Sequence, residues 1–108
     1  MSDIEPASPL YTVTYSKRVL DGLVRLGGAA RDRGDGARLA VALREFHRRL
    51  CLYPQFGDSL ADLKAHAGHV RLGVVPPLAM RYGVFEERRL VVVAALPVVL
   101  YRSDRGEG

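Results

Sequence analysis

The sequence predicts an α+β domain in the order strand, helix, helix, strand, strand, strand, with an antiparallel sheet packed on a helical hairpin. Three observations carry this expectation. The 108 residues leave no surplus for a second core of ordinary size, so one domain is expected. Two stretches in the first half repeat apolar residues every three or four positions, the period of an amphipathic helix. The second half changes to short runs rich in valine and leucine, separated by two hairpin-sized gaps. With 48% apolar and 26% charged residues, the composition is that of a globule that folds.

Each element has a local reason. Tyr11-Thr12-Val13-Thr14-Tyr15 alternates aromatic and β-branched residues and reads as the first strand. Ser16 then offers a side-chain oxygen to free backbone amides, a helix N-cap. Val19, Leu20, Leu23, Val24 and Gly27 form the apolar stripe of a helix starting near Lys17. Arg31 to Gly36, with two glycines and two aspartates, is turn chemistry. A second helix is capped by Asp35, carries Leu39, Leu43, Phe46, Leu50 and Tyr53 inward, and is stopped by Pro54. Its other face holds Arg38, Arg44, Glu45, Arg48 and Arg49, with Glu45 and Arg49 one turn apart as an ion pair. Gln55 to Gly68 reads as a connecting loop with a turn around Leu60 to Leu63. Strands follow at Val70 to Val75, Leu78 to Phe85 and Leu90 to Leu100. The last, apolar throughout, belongs in the sheet interior, its regular part ending near Pro97. Residues 1–9 and 103–108 have the composition of flexible tails around a domain at 10–102.

Composition also narrows the chemistry. One cysteine excludes an intramolecular disulfide or a thiolate zinc cluster, and three scattered histidines lack zinc-site spacing, so no cofactor or metal is expected. The longest apolar run, Leu90 to Leu100, is about half of the ~20 residues a membrane-spanning helix needs. The acidic, proline-containing start lacks the basic and apolar parts of a secretory signal, and a cytoplasmic protein is expected. The net charge is +4, and fourteen of the sixteen cations are arginine. That bias suits a phosphate-bearing or acidic partner, and it equally suits a GC-rich genome. Its densest stretch, 37–57, is the second helix.

Few residues stand out as chemical. Cys51 reads as a small buried thiol, and His47, His66 and His69 as surface histidines. Arg71 and Arg81 interrupt apolar strands. Alternation places Arg71, Gly73 and Val75 on one face of their strand, and Ala79, Arg81, Gly83 and Phe85 on one face of theirs. A hairpin that projected both arginines together would form a cationic floor able to bind phosphate. The other reading is a solvated face with arginines protecting an edge. Val41 and Leu52 lie off the main stripe of the second helix, and Tyr11 and Tyr15 lie at a sheet edge. Together they are candidate partner-binding residues, unless Val41 and Leu52 pack beneath the loop 55–69.

Several of these features also occur together in a known family. The tyrosine-rich first strand running into Ser16, the helix end Leu52-Tyr53-Pro54, the Phe56-Gly57 turn, and Met80-Arg81-Tyr82-Gly83-Val84 before an acidic hairpin resemble the RelE/ParE family of bacterial toxins. The resemblance covers about residues 10–101, and Pro76-Pro77-Leu78 is similar to one of its subgroups. It implies a small sheet packed on a helical hairpin and a cognate antitoxin, an acidic and partly disordered peptide that wraps the toxin. RelE-like members cut mRNA on the ribosome without a metal; ParE-like members poison DNA gyrase. In the RNase branch, cations on the second and third strands and just after the last strand hold the scissile phosphate. Matched through Tyr82, the usual third-strand arginine falls at Ala79, and the basic position after the last strand falls near Val99-Leu100. The candidates left for catalysis are Arg71, Arg81, Tyr82, Tyr101 and Arg102. The expectation is therefore a toxin that binds a protein target such as gyrase. The alternatives are a ribosome-dependent endoribonuclease with displaced groups and a non-toxic binding remnant of the family.

Overall fold

The computed structural model describes residues 10–63 and 67–100. The predicted tails at 1–9 and 103–108, and Tyr101, Arg102 and His66, lie outside the described residues. Strand β1 (Thr12–Tyr15) leads into helix α1 (Lys17–Asp32), and Ser16 caps it: its Oγ accepts from the Val19 amide at 3.1 Å. A turn with Gly34 at φ +83° joins α1 to α2 (Gly36–Leu52), using the left-handed backbone that glycine adopts at no steric cost. Asp35 stands at the α2 N-cap position but its side chain makes no cap bond, contrary to the sequence reading. Its carboxylate lies instead 4.0 Å from Arg38. The expected Glu45–Arg49 pair is present at 2.7 Å, and Arg48 joins it at 2.8 Å.

Beyond α2, a short 3-10 turn (Pro54–Phe56) precedes β2 (Asp58–Leu63), a strand where a loop was expected. The rest of the sheet is β3 (Gly68–Val75), β4 (Leu78–Phe85), β5 (Leu90–Val93) and β6 (Val98–Val99). The order is β1-β5-β4-β3-β2, with β6 also on β4. All pairs are antiparallel except β1–β5, so the sheet is mixed: the helical hairpin carries the chain away from β1, and β5 later returns beside it in the same direction. The apolar run at 90–100 is two strands rather than one. The chain leaves the sheet at Ala94 and re-enters at Val98, just past Pro97.

The helices cover one face of this sheet. Leu39, Phe46 and Leu50 of α2 meet Leu78, Met80, Tyr82 and Val84 of β4 and Val91 and Val93 of β5. Phe46 is fully buried, worth about 1.5–3 kcal/mol, and makes edge contacts with Phe56 at 5.5 Å and with Tyr82 at 6.2 Å. Gly73 makes room for these rings, since a Cβ there would stand 2.7 Å from Phe56 Cζ and 2.9 Å from Phe46 Cζ. Among the described residues, no helix is long and apolar enough to cross a membrane.

Candidate functional site

The hairpin between β3 and β4 decides the fate of the two strand arginines. Its two-residue turn, Pro76–Pro77, sets Val75 opposite Leu78, so odd-numbered residues of β3 share a face with even-numbered residues of β4. Arg71 is therefore opposite Tyr82, and Arg81 is opposite Leu72. The two arginines project from opposite faces, so of the two readings open from the sequence the cationic floor does not form. The alternation within each strand is as expected; the register between the strands separates them.

On the helix side, Arg71 and Tyr82 fasten the 3-10 turn to the sheet. The Tyr82 hydroxyl donates to the Pro54 carbonyl at 2.6 Å and accepts from the Gly57 amide at 3.1 Å. The Arg71 guanidinium donates through Nη1 to the Gln55 carbonyl at 3.1 Å and to the Gly57 carbonyl, while its Nε is buried without a hydrogen bond. Tyr82 is 1% exposed, and burial pushes its hydroxyl up to about 12. Both its hydrogen-bonding roles are taken by backbone groups, so the tyrosine is a latch in the core rather than a proton carrier at a surface.

Two polar clusters flank this latch. Gln55 Nε2 donates to the Tyr11 hydroxyl at 2.9 Å and to Glu86 at 3.0 Å. His69 Nε2 lies 3.8 Å from the same Glu86 oxygen, too far for a hydrogen bond, and is buried without one. At the far end of β1, the Tyr15 hydroxyl is 2.7 Å from His47 Nδ1, whose Nε2 is 3.5 Å from Cys51 Sγ. The Tyr15 and His47 rings stack at 5.8 Å. Burial, with the nearby Cys51 adding to it, pushes Tyr15 up to about 12, and burial also raises the Cys51 thiol, so both stay protonated at neutral pH. His47 and His69 thus have neighbours that the sequence did not reveal, and Cys51, read as buried, is only half-buried beside His47.

The candidate partner residues do not form one surface. Tyr11 donates from its backbone to the Cys51 carbonyl at 2.9 Å, which places it with half-buried Leu52 at the end of α2. Val41 is 57% exposed and lies eleven residues earlier, about 16 Å along the helix, in a groove of about 420 Å³ with Arg38, Glu45, Val75 and Pro76. It does not pack beneath the described residues of 55–69.

Arg81 is the candidate that faces outward from the sheet. It is exposed, and no described residue pairs with it. Compared with known protein families, with curated proteins and with solved structures, the chain gives no match. What the site can do therefore rests on its own geometry. On the outer face Arg81 borders a trough of about 480 Å³ lined by Leu63, Val70, Gly83, Phe85 and Val92, a predominantly apolar surface.

Proposed function

We propose that the chain is a toxin-like protein of a toxin–antitoxin pair, acting by binding a protein target rather than by cutting RNA. The single observation that carries the choice is the separation of Arg71 and Arg81 onto opposite faces. Stabilising a phosphorane needs preorganised cations converging on one phosphate. Here Arg71 is committed to backbone carbonyls, Tyr82 is a buried latch, and Arg81 is left alone on the outer face among the described residues. The toxin-like part of the reading draws on the resemblance, and the strand–helix–helix–sheet order across 12–99 is consistent with it.

Induced expression in a bacterial host tests this directly, with growth, transcript integrity by primer extension and plasmid supercoiling read in parallel. Growth arrest with intact transcripts is expected. Arrest accompanied by cut transcripts that Arg81→Ala abolishes would replace the binding reading with the ribonuclease one. Soluble protein that leaves growth untouched would remove the toxin reading altogether.

A further inference from the structure

The outer face of the sheet is apolar where a two-layer domain ordinarily turns polar residues to water. The outward positions of β3 are Val70, Leu72 and Val74, and they are continued by Phe85 on β4 and Val92 on β5. No described element covers this face: both helices pack on the other side. A continuous apolar patch of this kind marks an interaction surface. Arg81 stands within it, and Asp58, the acid in its row, is two strands away, about 10 Å by strand spacing, and is not paired with it.

We propose that this trough seats an acidic, aliphatic peptide segment, with apolar side chains against Phe85 and Val92 and a carboxylate on Arg81. The inference rests on the protein-binding reading above and gives it a binding surface. An arginine fork bordered by apolar surface holds a carboxylate bidentately and gains strength as water is excluded. A nucleic acid fits less well. Its affinity comes from several phosphate contacts, and its single-stranded forms need aromatic platforms; among the described residues the strands of this face offer one arginine, one phenylalanine and an aspartate in the arginine's own row.

Panning a phage-displayed dodecapeptide library on the purified full-length protein tests the seat without recourse to growth. Enriched sequences should carry Asp or Glu beside Leu, Ile or Val. A fluorescein-labelled consensus peptide should then lose about tenfold or more in affinity with Arg81→Glu. Changing the acid of the peptide to lysine should restore binding to that variant, and Val92→Asp should also weaken the original peptide. Matching urea midpoints would establish that the variants remain folded, and the lysine rescue identifies a folded Arg81→Glu protein by itself. No enrichment, or binding indifferent to both substitutions, would overturn the proposal. So would tighter binding of a labelled oligouridylate that Arg81→Glu abolishes, or a dimer of the protein alone that Val92→Asp dissociates. Growth arrest without peptide enrichment would sink the seat and leave the toxin reading; enrichment without arrest would do the reverse.

Discussion

Replacing Tyr82 by phenylalanine removes one oxygen and leaves the ring contacts with Phe46 and Phe56 in place. Two backbone groups then lose their partner: the Pro54 carbonyl, bonded at 2.6 Å, and the Gly57 amide, bonded at 3.1 Å. Pro54 and Gly57 are buried, so water does not readily take the place of the hydroxyl. Each unpaired buried group costs ~1–3 kcal/mol, which gives about 2–4 kcal/mol for the pair after partial relaxation. A domain of this size is stable by about 5–15 kcal/mol, so Tyr82→Phe should still fold. With a urea slope of about 2 kcal/mol per molar, the middle of the usual range, its midpoint should fall by about 1–2 M at unchanged slope. Amide exchange locates the effect: Gly57 should exchange faster in the variant, whereas amides in the middle of β5 should change only as far as global stability does. A midpoint shift worth less than ~0.5 kcal/mol, a size typical of surface substitutions, would refute the latch, as would a Gly57 amide equally protected in both proteins.

Gly73→Ala should destabilise by ~1–3 kcal/mol, seen as a lower thermal midpoint, because its Cβ would meet Phe56 Cζ at 2.7 Å and Phe46 Cζ at 2.9 Å in a packed core. Ser16→Ala should cost about 1 kcal/mol in urea melts and fray the start of α1, since the hydroxyl satisfies the Val19 amide. Tyr15 and Tyr82 are raised to about 12, above the ~10 of an unfolded tyrosine, so the stability they carry is complete below pH 10 and is lost as pH rises from 10 to 12. Ultraviolet titration should show these two phenols ionising above the ~10 of an unfolded tyrosine, and urea midpoints should decline across the same window.

The legible parts of this chain are those where a local rule and the tertiary environment agree. Ser16, the α2 stripe of Leu39, Phe46 and Leu50, and the paired prolines between β3 and β4 each specify their structure within a few residues. Strand β2 was hidden because Asp58-Ser59-Leu60-Ala61-Asp62-Leu63 has neither alternation nor β-branched residues. It is an edge strand with a register shift between Ser59 and Ala61, held by β3, and its aspartates discourage further pairing. The parallel β1–β5 pair and the contacts joining Tyr15, His47 and Cys51 depend on segments far apart in sequence, which no local pattern encodes. Arg71 and Arg81 are the instructive case, because their separation was available in principle. A two-residue turn after Val75 fixes the register, and register fixes the face of every side chain on both strands. Applied to this hairpin, that parity puts Met80, Tyr82 and Val84 with Arg71 and leaves Arg81 with Leu72 and Val70. The same step that dissolves a two-arginine phosphate clamp exposes a lone arginine in an apolar field, a chemistry suited to a carboxylate flanked by aliphatic side chains.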